Sequence, residues 1–365
     1  MPNEALGSCY VMCAGVPYGN LLKLVAHRSL ENMTCDGTFT LSWPGAEMAG
    51  ATSMPVQELI DGARGTLMLD GQLAATFRID SRTSHGTPNT FTLDLKYRGL
   101  ASSLVDSVPD HESGQENKKK PGQIAKKMAE GYEAQIEDKS SEGRQIERFI
   151  IQEGESVERA IRRCCREFGI NARENEEGNV ILEKKGAATG GGMPIILGHN
   201  LTNWSVKRDI SERQSKVKAK GNSIPTDKKY GKEAEELVGE AQDSYVKFKK
   251  EMHALIDTHH DKESLKKRAK TEVNRRKAAG LTVNVTMSTW SDDGGQIWKP
   301  GNLHMVVIPV DGVADMLQIK EVTFTLDAET REAELVLVPQ QSFDDAEGGG
   351  DSGGSAAGGE GGAFS

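Results

Sequence analysis

The stretch that decides the fold is GGQIWKPGNLHMVVIPV, residues 294–310. Alternating apolar residues predict one strand that ends at Trp298 and a second strand over residues 303–308. Lys-Pro-Gly-Asn separates them. Because proline cannot donate a hydrogen bond to a sheet and glycine permits a positive φ angle, the chain must turn there. We expect Trp298, Pro300 and Asn302 to form the corner of a β-barrel, with the indole covering the barrel end.

Similar strand patterns fill the first hundred residues. Apolar and polar side chains alternate over residues 39–43, 73–79 and 91–97. The turn-rich loop SRTSHGTPN joins the last two segments, so they are predicted to form a hairpin. Strands of this length and spacing are typical of a small sandwich or barrel, which we place at residues 1–105.

A different type of structure is predicted for residues 106–192. After the polar linker DHESGQENKKKPG, Pro121 begins a short helix and Ser156 caps a second helix, which Gly169 ends. A short strand follows over residues 179–183. These elements predict a small α+β domain.

The strand pattern then resumes, is interrupted and returns. Residues 193–225 and 281–343 are predicted to form a second barrel, which ends in a hairpin around the turn at residues 327–330. The segment between them, residues 226–280, is highly charged and shows no strand pattern, so we predict a helical insertion. The glycine-rich residues 344–365 predict a flexible tail or tether.

The composition argues against several classes of protein. The chain has 45 Lys and Arg against 54 Asp and Glu, a net charge of −9, whereas general binding to a nucleic-acid backbone needs a basic surface. Aromatic residues make up only 5%, so we expect a modest core and stabilising contacts with other chains. No apolar run approaches the ~18 residues of a membrane helix, and Glu4 stands where a signal peptide carries positive charge. Five cysteines, an odd number, favour a reducing compartment.

The best candidate for a metal site is MHALIDTHHD. In a helix, His253, Asp257 and His260 would lie on one face. A solvated, charged helix surface explains this pattern more simply, and the spacing matches no known zinc motif. The basic run KKRAKTEVNRRK is likewise predicted to be the outer face of a packed helix. No catalytic or nucleotide-binding motif is present, so we predict a protein that is not an enzyme and that has no cofactor or metal.

A short pattern occurs twice in the chain. Arg28 and Glu31 lie in one predicted strand segment with small and aliphatic neighbours, and Arg208 and Glu212 lie in another. Either an internal duplication or chance explains the similarity. We expect these four residues to mark strands through which the two barrels meet.

The order of the motifs resembles that of the baseplate hub proteins of Mu-type contractile phage tails. D-D-G-G-Q-I-W-K-P-G-N and the final hairpin are similar to that family's G-Q-x-W-x-P-N block, with Gly301 as an extra residue. D-G-Q-L-A-A-T-F-R-I-D-S-R is similar to the family's G-G-Q-x-x-x-x-G-x-I-D-S-R strand, with Phe77 where glycine is usual. The resemblance spans about residues 20–343 and depends more on order and spacing than on identity.

The resemblance implies an α+β fold dominated by β structure, with two tail-tube-like β-barrels, a small α/β domain between them and a helical insertion in the second barrel. It also implies a homotrimer whose six barrels adapt the sixfold tail tube to the threefold spike. The implied partners are the tail tube protein, the central spike protein and baseplate wedge or tape-measure components. DNA would pass transiently through the lumen of a virion baseplate assembled in the host cytoplasm.

The sequence is also compatible with three further hypotheses. The chain is a cell-wall-degrading tail enzyme if residues 253–261 form a catalytic cluster. It is the hub of a tail-like bacteriocin or secretion machine if it functions outside a phage. Finally, its acidic side chains either line the lumen and repel DNA or serve only solubility.

Overall fold

The computed structural model describes residues 9–44, 56, 58–110, 114–166, 168–188, 190–222, 237–259 and 262–343. The described chain divides into two compact units. The larger unit lies within Met1–Arg213 and Asn274–Asp345, and the smaller unit lies within Gln214–Val273. In the described part of the chain, no helix is both long and apolar enough to span a bilayer.

Seven strands form the first module of the larger unit. The predicted strand at residues 39–43 is confirmed, because Phe39, Leu41 and Trp43 are buried while their neighbours face outward. The predicted hairpin is also confirmed, since its strands pair from Phe77–Gly99 to Gly86–Phe91, but residues 81–86 of the predicted loop extend its first strand. The strands are β1 (Cys9–Cys13), β2 (Val16–Tyr18), β3 (Leu21–Ser29), β4 (Asp36–Pro44), β5 (Arg64–Leu69), β6 (Gln72–Gly86) and β7 (Thr90–Gly99).

A middle domain of helices and short strands follows. Its longest helix begins after Ser156, whose Oγ accepts a hydrogen bond from the Arg159 amide at 3.3 Å, and it buries Ile161, Cys164 and Cys165. The predicted helices at Pro121 and Val157 are thus confirmed. The elements are α1 (Ser102–Asp106), β8 (Gln115–Lys119), α2 (Pro121–Met128), β9 (Ile136–Asp138), β10 (Ile146–Ile150), α3 (Val157–Arg166), β11 (Ile170–Glu174) and β12 (Val180–Lys184).

The second module of the larger unit contains seven strands, three before an insertion and four after it. The predicted final hairpin is confirmed: Leu326 pairs with Arg331, and the Asp327 carboxylate accepts hydrogen bonds from the amides of Glu329 and Thr330. The strands before the insertion are β13 (Gly190–Gly191), β14 (Ile195–Ile196) and β15 (Leu201–Arg208). The insertion contains β16 (Lys216–Asn222), β17 (Leu237–Gln242), β18 (Glu251–His259) and α4 (Lys262–Ala279), and the module resumes with β19 (Leu281–Met287), β20 (Asn302–Ile308), β21 (Val313–Leu326) and β22 (Arg331–Pro339).

Both modules share one sheet and one core. The strand order is β15-β19-β22-β21-β3-β4-β7-β6-β5-β1-β2, with β20 beside β21 and with β13 and β14 beside β20. A single cluster of buried apolar side chains runs from Cys9 in the first module to Leu337 in the second. Among the described strands no sheet closes on itself, so the structure does not confirm two separate closed barrels.

The two modules repeat the same topology. The order β3-β4-β7-β6-β5 in the first module corresponds to β15-β19-β22-β21-β20 in the second, and the corresponding strands also occur in the same sequence order. Two of the irregularities also match. β3 and β15 each shift register near the start of the strand, at Leu21/Lys23 and at Leu201/Asn203. β6 and β21 each shift register where they change partner, at Ile79/Ser81 and at Ile319/Glu321. These shared bulges support an internal duplication rather than chance.

The prediction of a wholly helical insertion at residues 226–280 was wrong. Only α4 is helical, while β17 and β18 flank β16 in a three-stranded sheet. β17 in particular has a weak apolar alternation, because its inward positions carry the small residues Gly239 and Ala241. Small residues are needed because the helix approaches closely: a Cβ on Gly239 would overlap the backbone of Leu265 and Lys266.

Candidate functional site

The two modules meet where β3 pairs with β21. The antiparallel junction runs from Ser29–Glu321 to Leu24–Leu326, and it continues beyond the strands through the Leu30 amide, which donates to the Lys320 carbonyl at 2.8 Å. The Lys320 ammonium lies 2.8 Å from the Glu31 carboxylate. Glu31, one of the four sequence-derived candidates, therefore lies beside this junction. That these candidates mark the contacts between modules stays a prediction.

Arg28 turns away from the sheet and into the middle domain. Its side chain is 6% exposed. One guanidinium nitrogen lies 2.7 Å from the Glu176 carboxylate and another donates to the Glu174 carbonyl at 3.4 Å. The Lys299 ammonium also lies 3.7 Å from Glu176. Arg28 thus connects the first module to the loop between β11 and β12, beside a lysine of the second module.

The pKa values of Glu174, at the end of β11, and Glu176, in the loop, are shifted in opposite directions. Burial acts to raise the pKa of Glu176, but the charge and hydrogen bond of Arg28, with the charge of Lys299, lower that pKa to about 2. Burial raises the pKa of Glu174, although it accepts hydrogen bonds from the amides of Cys35 at 2.8 Å and Ala101 at 2.9 Å. Two carboxylates two positions apart therefore have opposite pKa shifts, because the Arg28 guanidinium pairs directly with the Glu176 carboxylate and acts on the Glu174 carboxylate only weakly against its burial.

Close packing fixes the loop against the first module. A Cβ on Gly99 would overlap the Glu174 carboxylate, and the Thr76 hydroxyl donates to the Glu176 carbonyl at 2.9 Å. The repeated sequence pattern indicated Arg28 but neither of the two glutamates. The only signal was the acidic turn R-E-N-E-E-G-N, and nothing in it pointed to a partner about 150 residues earlier.

The predicted corner residues lie in the second module. Trp298 is 2% exposed, donates from Nε1 to the Thr289 carbonyl at 2.9 Å and contacts the His304 ring. Gly301 has a φ of +96°, which explains why glycine occupies the extra position. Asn302 begins β20. The role of Trp298, Pro300 and Asn302 as a barrel corner stays a prediction.

The strand predicted to end at Trp298 is wrong. Between the end of β19 at Met287 and the start of β20 at Asn302, the structure has only an isolated bridge, which joins Ser291 and Ile297. The Asp292 carboxylate accepts hydrogen bonds from the amides of Gly294 at 3.0 Å and Gln296 at 2.9 Å. These bonds form a tight loop that competes with an extended strand.

Arg208 lies on β15 at the free edge of the sheet. Its guanidinium donates to the Asp311 carbonyl at 2.9 Å, while the nearby Trp204 donates from Nε1 to the Asp311 carboxylate at 2.7 Å. Trp204 remains 39% exposed. Glu212 follows the strand, and its carboxylate lies 3.4 Å from the Arg276 guanidinium.

The helical arrangement considered for a metal site does not form. His253 and Asp257 lie on strand β18, and His260 is outside the described residues. Among the described residues, no group of three His, Cys, Asp or Glu side chains is arranged to hold a metal ion.

Comparisons with known proteins place this architecture among tail proteins. Residues 101–184 match the family model for the second domain of baseplate hub protein gp44-like proteins. The baseplate hub protein gp44 of Escherichia phage Mu is 27% identical over 329 residues, which cover 87% of this chain and 83% of that protein.

Solved structures show the same fold. The 43 kDa tail protein of prophage MuSo2 from Shewanella oneidensis has a TM-score of 0.75 at 21% identity, covering 92% of this chain and 99% of that one. The tail protein from Neisseria meningitidis MC58 has a TM-score of 0.70 at 17% identity, covering 92% and 98%. The E. coli c3393 protein, a component of the type VI secretion system, has a TM-score of 0.59 at 11% identity, covering 93% and 78%.

The Mu relative is a baseplate hub protein, and the β-dominated fold agrees with the expected class. The resemblance seen in the motif order is therefore confirmed, and this chain is a homologue of the baseplate hub protein gp44 of phage Mu.

Proposed function

We propose that three copies of this chain form the hub of a contractile tail baseplate. Each copy would contribute two equivalent modules, so that six similar units face the sixfold tail tube while the assembly keeps threefold symmetry for the central spike. The observation that carries the proposal is the repeated strand order with its matching bulges. Equivalent modules are what a threefold object needs in order to match a sixfold one.

The open sheet also favours assembly. Among the described strands, β15 pairs only with β19 and residues 81–86 of β6 pair only with β7, and such free edges carry unpaired backbone donors and acceptors. Different strands at the two edges allow heterologous contacts, which close into a ring when the rotation between copies permits it.

The proposal includes the partners and location expected of a hub. These are the tail tube protein, the central spike protein, baseplate wedge or tape-measure components, and DNA that passes transiently through the lumen. The site is the virion tail baseplate, assembled in the host cytoplasm. Within the chain we assign residues 1–105 and residues 193–213 with 281–343 to the tube-like modules, and residues 106–192 to the domain between them. The second module was expected to reach residue 225, but β16 belongs to the sheet of the insertion. Residues 214–280 are the insertion, and the tail expected at residues 344–365 lies outside the described residues.

The test is the oligomeric state of the purified chain. Light scattering should give three times the 39.6 kDa chain mass, and electron microscopy should show a ring with six similar lobes. A stable monomer or dimer at high protein concentration would overturn the proposal.

A second candidate function is the hub of a secretion or bacteriocin-like machine. The fold similarity to the secretion-system component favours it. Purifying the particles that contain this chain distinguishes the two functions: packaged DNA supports the phage hub, and its absence supports the injection machine.

A further inference from the structure

We infer that β15 of one chain pairs antiparallel with residues 81–86 of β6 in a second copy, in the register that β3 and β21 use within the chain. This inference depends on the proposed ring of copies and specifies its interface residue by residue. It follows from the duplication, because a junction formed once inside the chain leaves the equivalent edges free to form it again between chains.

The first free edge belongs to β15, the counterpart of β3. β3 pairs with β4 on one side and with β21 on the other. β15 pairs with β19 in the same way that β3 pairs with β4, with the same bulge, but it has no second strand partner among the described residues. Apart from a single bridge between Leu201 and Leu197, the edge that β3 uses for β21 is therefore unpaired along β15 in the described part of the chain.

The second free edge belongs to the end of β6, the counterpart of β21. Glu321 to Leu326 pair with β22 on one side and with β3 on the other. The corresponding residues Ser81 to Gly86 pair only with β7 in the described part of the chain, and all of them are exposed.

Matching the bulges fixes the register of the inferred junction. In the chain, Ser29 pairs with Glu321, and Leu24 pairs with Leu326. Transferring each strand to its counterpart gives the cross-strand pairs Asp209–Ser81, Arg208–Arg82, Lys207–Thr83, Val206–Ser84, Ser205–His85 and Trp204–Gly86.

Burial and side-chain size agree with this register. Leu24 is 1% exposed at the internal junction, whereas its counterpart Trp204 is 39% exposed. The inferred junction would cover this indole. Gly86 lies opposite, and a Cβ there would meet only Phe91, at 3.9 Å. The missing side chain leaves space for the large indole where the internal junction pairs two leucines.

One pair in this register joins like charges. Arg208 lies opposite Arg82, and like charges directly opposite each other are destabilising. Both guanidiniums are already bonded to backbone carbonyls, Arg82 to Leu59 at 3.1 Å and Arg208 to Asp311 at 2.9 Å. These bonds hold each guanidinium against its own chain and so reduce the electrostatic repulsion between the two arginines.

Engineered disulfides test the register directly. Opposite residues of an antiparallel pair are close enough for a disulfide, and the five native cysteines are buried. The double variant Ser205→Cys/His85→Cys should give disulfide-linked dimers and trimers under oxidation. The equivalent internal pair, Val25→Cys/Thr325→Cys, should form a disulfide within one chain. Ser205→Cys/Ser84→Cys is the register control, because the neighbouring strand position points to the opposite face.

The outcomes separate this inference from the proposed function. Linked trimers from the first variant, with at least tenfold less linkage from the register control, support it. If the protein is a trimer by light scattering and the internal pair forms, but the first variant gives no linked chains, the register is wrong while the hub proposal survives. If the protein is a monomer that forms only the internal disulfide, both proposals are overturned.

Discussion

The ion pair between Arg28 and Glu176 is expected to couple the first module to the middle domain. Their charged atoms lie 2.7 Å apart, and their side chains are 6% and 21% exposed. Moving the Glu176 pKa from 4.5 to about 2 corresponds to about 3 kcal/mol of interaction favouring the charged form. Removing one partner of a buried pair also leaves the other charge uncompensated, which costs about 3–5 kcal/mol.

We therefore expect Arg28→Met to lower the free energy of unfolding at pH 7 by about 3 kcal/mol, as measured by urea denaturation. A double-mutant cycle with Glu176→Gln should give a coupling energy of about 2 kcal/mol. The matched control is Arg78→Met. Arg78 pairs with Glu133, but both side chains are 40% exposed, so its loss should cost less than about 1 kcal/mol.

The same pair predicts a direction for the effect of pH. Because the folded-state pKa of Glu176 lies below its unfolded value, the stabilisation is complete above about pH 4.5 and is lost as the pH falls towards 2. The difference in stability between the wild type and Arg28→Met should narrow over this window. A coupling energy under about 0.5 kcal/mol, or a difference unchanged between pH 7 and pH 3, would refute the argument.

Three further predictions concern packing and assembly. Gly99→Ala should destabilise the fold by more than about 1 kcal/mol in urea denaturation, because the added methyl group overlaps the Glu174 carboxylate; a neutral result would show that the loop can shift. Trp298→Ala should lower the free energy of unfolding by about 3–5 kcal/mol, since the indole is almost fully buried, and a loss below about 1 kcal/mol would mean that the core collapses around the gap. Gly86→Leu should weaken the trimer on dilution in light scattering but leave the melting temperature of the dissociated chain within a few degrees of wild type. Gly143→Leu, at an exposed glycine with open space around it, should change neither, and equal effects of both leucines would contradict the inferred interface.

Local patterns were sufficient to predict much of the fold. Period-two alternation predicted β4, β7 and the final hairpin, because these strands bury alternate residues in the core. It also predicted the start of β6, although Ala74 to Phe77 are all buried there, and it did not extend to residues 81–86 of that strand, which are exposed on both faces. The pattern failed in the insertion, where small residues occupy the buried positions of the sheet. It also failed at Trp298, whose apolar neighbours suggested a strand although the Asp292 carboxylate bonds the chain into a loop.

The candidate site depends on contacts that no local pattern contains. In the sequence, Arg28 and Arg208 belong to a short pattern that occurs twice. The strand registers place these two arginines at corresponding positions of β3 and β15. It did not reveal that one arginine is buried against Glu176 while the other lies at a free edge. The difference arises from the middle domain, which follows the first module in the chain and covers only the first of the two arginines.

The duplicated strands also show how one junction differs from the other. At the internal junction, β21 presents Val322 and Phe324, which are fully buried. The corresponding positions on β6 carry Arg82 and Ser84, which are exposed. Within one chain the two edges are always close together, so an apolar edge is covered as soon as the chain folds. An edge that pairs between chains is exposed to solvent before assembly. Polar and charged residues on it prevent non-specific pairing with other strands. The two junctions therefore share a backbone register but differ in their side chains. The strand that pairs within the chain is apolar, and the strand inferred to pair between chains is polar.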